Sequence, residues 1–267
     1  MDFGGAFLGA YSADQGSAAQ AVIAALVRVG DAFSANRLSD PISYCDCCTD
    51  PALIARLATT ARDDVSDDDM AAVAGSLLYT LGEDYDFAYF MPRFCSDSLG
   101  SPPYDVDAVF ARFERAGFVD WPDAQKNSVR SFLLAHWRFS LLCEPRRNVS
   151  HLSDPWLVTL DSIASAGVIE DALTTWDATN TESADARLLE LLDHLDVGDA
   201  AISIIGVGGY AENAEAYDTL SRWLRSPAVW ARIGAVLESS RAADRNAGER
   251  IDGVLAALRQ LKPRFRR

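Results

Sequence analysis

The residues best equipped for chemistry sit in one short loop, Tyr44-Cys45-Asp46-Cys47-Cys48. Cys45 and Cys48 have C-x-x-C spacing, which lets two sulfurs meet on one metal ion, or on each other, across a single turn. Three roles are open to them: structural thiols, part of a zinc site, or dithiol exchange. A tetrahedral zinc site asks for about two further ligands, and the nearest candidates are Cys95, His136 and His151. The metal reading therefore names Cys45, Cys48 and Cys95 and leaves Cys47 as an extra thiol. Dithiol catalysis favours cysteines at a helix start that follows a strand. Here the helix is expected only at Asp50, and no strand pattern precedes it.

The second chemical feature is acidic: Asp63-Asp64, Asp67-Asp68-Asp69 and Glu83-Asp84-Asp86. An EF-hand loop begun at Asp64 fails, because Asp69 stands where glycine is required. Most of these carboxylates fall at expected helix starts, where they favour the helix dipole. They also make a docking surface for a basic protein, with Glu83, Asp84, Tyr85, Asp86 and Tyr89 at its centre and Asp67 and Asp68 beside it. Aromatic side chains at an acidic rim suit interface anchors.

Weaker signals read more plainly. Gly206 to Ala211 matches G-x-G-x-x-A, but no second strand follows and Arg232 stands where an acid belongs, so a hinge is expected. His136 lies on an apolar stripe with Phe132 and Trp137 and reads as a core histidine; His194 closes a helix, where a cation suits the dipole. No nucleophile motif such as G-x-S-x-G occurs. The chain is therefore not expected to be an enzyme, nor to need a cofactor beyond the zinc that its cysteines would hold.

The elements that must position these residues are helical throughout. Asp50-Pro51, Asp154-Pro155 and Ser226-Pro227 each set a capping residue before a proline at the first helical position, where the missing N–H costs nothing. Leu53, Ile54 and Leu57 face inward on the first of these helices. Ser66 with Asp69 approximates a capping box for a helix whose stripe is Met70, Val73, Leu77, Leu78 and Leu81, ending at Gly82. Asp84 caps the next helix, which must bend or restart at Pro92. Leu77, Leu81, Phe87 and Phe90 are expected in the core. Alternation arguable as a strand occurs only at Ala201 to Val207, so short connections should pair neighbouring helices antiparallel.

The expected fold is all-α: an irregular stack of antiparallel helical hairpins, a HEAT-like α-α superhelix or a large helical bundle. Its parts are a loose arm over 1–16, helical halves over 17–147 and 154–262 packed as one domain, and a basic tail over 263–267. The polar stretch Glu144 to Ser153 is the natural boundary between the halves.

At 267 residues and 49% hydrophobic, the chain can bury a sizeable core. Its net charge of −15 disfavours nucleic acid and anionic membranes as partners and favours a basic protein. With no basic, apolar leader, no membrane-length apolar run and an odd cysteine count, it is expected in the cytoplasm. Cys45 and Cys48 before a short helix, the Tyr79 to Gly82 turn with Asp84 and Asp86, FAYFMPRF at 87–94 and LSRWLRSPAVWARI at 220–233 resemble a family of bacterial all-helical proteins with no assigned activity. That resemblance implies the helical fold and brings no function with it. The leading expectation is a non-enzymatic interaction module, such as an immunity or inhibitor protein that occludes a basic toxin. The alternative is a small metalloprotein with a cysteine-based zinc site.

Overall fold

The computed structural model describes residues 11–100, 102–143, 155–197, 202–204, 214–240, 252–253 and 255–256. The basic tail, His151, the Gly206 to Ala211 stretch and the expected boundary at 144–153 lie outside these residues. Among the described residues the regular structure is helical apart from one small ribbon, so the fold is all-α. The helices are α1 (Ala13–Ala32), α2 (Pro51–Leu57), α3 (Asp67–Ser76), α4 (Asp84–Asp97), α5 (Val106–Phe110) and α6 (Asp123–Leu142). Then come α7 (Pro155–Ser165), α8 (Ile169–Ala178), α9 (Glu182–Asp193), α10 (Ala214–Leu224) and α11 (Pro227–Ser240). No described helix is long and apolar enough to cross a membrane.

The chain divides into two compact units. One holds residues 19–135; the other holds the start of α1, through Ala18, and the chain from His136 onward. The division falls inside α6 and not at the polar connection after it. Buried side chains recur along the whole of α6, at Val129, Phe132, Leu133, Trp137 and Leu141, so loop polarity does not mark where the packing separates.

In the first unit, α3 packs on α5 and α4 on α5. Its core is aromatic: Phe87 lies 6.4 Å from Phe113, Phe113 stacks 4.6 Å from Phe118, and Phe33 meets Trp121 edge-on at 5.5 Å. Edge-on and offset ring contacts add to the burial itself. In the second unit α7 packs on α8 and α10 on α11, but α8 also packs on α10 and α9 on α11. Helices two apart therefore associate as well as neighbours. Leu195–Val197 (β1) and Ile202–Ile204 (β2) pair antiparallel, Leu195 opposite Ile204. Within the alternating stretch, Ile202–Ile204 is thus a true strand.

Local rules set most helix starts. Asp50 accepts a hydrogen bond from the Ala52 N–H at 2.9 Å, with Pro51 at the first helical position. Ser66 Oγ accepts from the Asp69 N–H, but the Asp69 carboxylate turns outward to Arg56 at 2.7 Å, so only half of the capping box forms. Three expectations fail on α3 and α4. The N-cap of α4 is Glu83, not Asp84. The helix runs unbroken through the buried Pro92, seated in a turn packed on all sides. And α3 stops at Ser76, one and a half turns before Gly82, for reasons that belong to the site.

Candidate functional site

Beyond Ser76 the chain folds into a tight turn. The Ser76 carbonyl accepts from the N–H groups of Tyr79, Thr80 and Leu81 at 3.0, 2.9 and 3.2 Å, and Leu78, at φ 67°, closes back onto the Leu81 carbonyl. Helix continuation would also need the Leu77 and Thr80 carbonyls and the Gly82 N–H for its own ladder; tertiary partners take these instead. Arg112 Nη1 donates to the Leu77 carbonyl at 3.0 Å, and the cysteine loop pairs along the far edge of the turn.

That pairing joins segments that are far apart in sequence. The Cys45 N–H donates to the Thr80 carbonyl at 2.8 Å, and the Gly82 N–H donates to the Ser43 carbonyl at 2.7 Å. Thr49 Oγ1 donates to the Thr80 carbonyl at 3.1 Å and Ser43 Oγ to Glu83 Oε1 at 3.0 Å. Gly82 is required here: its φ is +64°, and a β-carbon would meet Leu77 Cδ1 at 2.9 Å and the Asp86 carboxylate at 3.0 Å. The loop then closes on itself, with the N–H groups of Cys48 and Thr49 both donating to the Cys45 carbonyl at 3.0 Å.

This closure gathers three thiols. Cys45 Sγ lies 3.0 Å from Cys47 Sγ, Cys47 Sγ lies 3.4 Å from Cys48 Sγ, and all three sulfurs fall within 4.8 Å of one another. Sulfurs bound to one zinc ion at about 2.3 Å can be no more than about 4.6 Å apart, so the three could converge on one ion with little movement. Cys45 is half-buried, while Cys47 and Cys48 are exposed. The Cys47 thiol beside Cys45 holds the Cys45 pKa below its ordinary value, and the same contact pushes Cys47 up to about 11. The contact makes Cys45 the more readily ionised, and so the more metal-seeking, of the two thiols.

Cys95 does not belong to this group. It is fully buried on α4, its sulfur 3.9 Å from Met91 Sδ, and burial raises its pKa strongly. The third sulfur is Cys47, the residue that C-x-x-C spacing sets aside. His136 starts the second unit, where burial pushes its pKa down to about 4. It is a neutral, partly buried histidine on the apolar stripe of α6.

The expected docking residues separate into two kinds. Glu83, Asp84 and Asp68 are exposed, and Tyr85 is 54% exposed. Asp67 is exposed too, but pairs with Arg93 at 3.0 Å. Asp86 is a correction: it is fully buried, its carboxylate accepting from the Glu83 N–H at 2.9 Å and from both the N–H and hydroxyl of Ser39. Tyr89 is another. Its hydroxyl accepts from the Arg62 N–H at 3.0 Å, and the Arg62 guanidinium lies 5.4 Å over its ring, so it is committed to the fold.

Among the described residues, Cys45, Cys47 and Cys48 form the single group of three or more cysteine, histidine or acidic side chains close enough to share a metal ion. Comparison with protein-family models, with curated proteins and with solved structures gives no match to this chain.

Proposed function

We propose that this protein binds a soft metal ion, of the zinc or copper(I) class, through Cys45, Cys47 and Cys48. The carrying observation is the approach of three sulfurs to within 4.8 Å on a loop whose backbone is pinned at Ser43, Cys45 and Gly82. Thiolates select such ions over hard cations. A pinned backbone lowers the ordering cost of binding, the general advantage of a preorganised site. Binding must displace the Cys47 proton, so affinity rises with pH. The test is metal content: reduced protein equilibrated with Zn(II) retains one equivalent after desalting, and its Co(II) form shows sulfur-to-metal charge-transfer absorption. Retention below about a tenth of an equivalent, where tight structural sites retain nearly all, would sink the reading.

A second reading has its own support. Glu83, Asp84 and the half-exposed Tyr85 open α4 immediately beside the cysteine loop, on a chain of net charge −15. This suits an acidic docking edge for a basic protein, in the form of an immunity or inhibitor protein that occludes a toxin in a bacterial cytoplasm. Affinity purification from the native cell over a salt series tests it, and recovery of no stoichiometric basic partner counts against it.

A further inference from the structure

We propose that an ion held by Cys45, Cys47 and Cys48 keeps one coordination position open to solvent, and that the external ligand it takes is a thiolate. This inference rests on the metal reading above. All three donors come from four consecutive residues, and the loop is closed behind them by the bonds from the Cys48 and Thr49 N–H groups to the Cys45 carbonyl. The opposite side of the backbone is fastened to Thr80 and Gly82, so the donors can cover only one hemisphere of an ion. Cys47 and Cys48 are exposed, which turns the other hemisphere outward. Structural zinc sites close all four positions with protein ligands, whereas sites that exchange ligands leave one open. An ion already on three sulfurs is matched by a further soft donor.

The rim adds a preference. Asp46, Asp50 and Glu83 are exposed carboxylates on or beside the loop, so a thiol carried by a cationic molecule is favoured over one carried by an anion. In the exchange, the sulfur replaces a water on the ion and the thiol proton passes to solvent. No electron changes hands, and the ion remains on the protein.

The experiment uses the full-length, Co(II)-loaded protein titrated with cysteamine, a cationic thiol, and separately with mercaptoacetate, an anionic one. Cysteamine should change the cobalt spectrum saturably, with one thiol bound per cobalt and cobalt still co-eluting with the protein. Mercaptoacetate should need a several-fold higher concentration. An unchanged spectrum at saturating thiol would show a closed coordination sphere, and stripping of cobalt without a ternary complex would show no usable fourth position; either overturns the inference while leaving the metal reading standing. Failure of the protein to take up cobalt at all would remove both.

Discussion

Arg232 in the second unit and Cys47 in the first are both polar side chains on closely bonded backbone, and the fold treats them in opposite ways: Arg232 bonds main-chain carbonyls, Cys47 bonds other thiols. Arg232 donates to Asp185 at 2.6 Å, to the Trp176 carbonyl at 3.0 Å and to the Thr179 carbonyl at 2.8 Å. The indoles around it are equally committed: Trp137 Nε1 bonds the Ala172 carbonyl, Trp176 Nε1 the Ala184 carbonyl and Trp223 Nε1 Asp177. In the cysteine loop the carbonyls of Ser43, Cys45 and Thr80 are satisfied by backbone N–H groups and by Thr49, and the thiols turn to one another and, at Cys45, to the backbone of Cys47 and Cys48. Where side chains complete the main chain's hydrogen bonding they are structural. Where the main chain completes its own, reactive side chains are left for a ligand.

The strongest way to break this contrast is Trp176→Ala. Trp176 is fully buried between Trp137 and Trp223, with ring centroids at 5.2 and 5.0 Å. Its truncation should cost about 3–5 kcal/mol in urea unfolding, with the zinc stoichiometry of the folded protein unchanged. Loss of metal binding in that folded variant would erase the distinction between the regions.

Next in size is the pair Asp86→Asn and Asp84→Asn. Asp86 accepts from Ser39 and Glu83 in the interior, so its change should lower stability by about 2 kcal/mol. Asp84 is exposed, and its change should stay within about 0.5 kcal/mol. Equal effects would mean that the acidic turn is uniformly a surface.

A pH series sharpens the contrast further. His136 is neutral in the folded protein down to about pH 4, but the unfolded chain protonates near the ordinary value of 6.5. Its folded pKa is depressed, so the stability it contributes is whole above pH 6.5 and falls as pH drops from there toward 4. Allowing for partial exposure, the loss is about 2 kcal/mol, read as the difference between wild-type and His136→Gln stability curves over that window. Parallel curves would remove His136 as its source.

What was legible in the sequence was local. Asp50-Pro51, Ser66 and Ser226-Pro227 announce helix starts because a cap needs only its own next few residues. The inward positions Leu77, Leu81, Phe87 and Phe90 were legible as well. The end of α3 at Ser76 was not, since it depends on Cys45 and Ser43 pairing with residues some thirty-five positions later. Asp86 looked like its exposed neighbours because the Ser39 that buries it lies far up the chain. C-x-x-C spacing does not point to Cys47, because it describes two residues on one side of a turn. The closed Cys45 to Thr49 loop brings the residue between them to the same place.

The most direct measurement is the zinc affinity, by competition with a chromophoric chelator, of Cys47→Ser set against Cys95→Ala. With the site on Cys45, Cys47 and Cys48, Cys95→Ala keeps one equivalent at wild-type affinity. Cys47→Ser loses at least about a hundredfold, as expected when an ion's own ligand is removed rather than a supporting group. Weakened binding in Cys95→Ala with full affinity in Cys47→Ser would contradict the three-cysteine site.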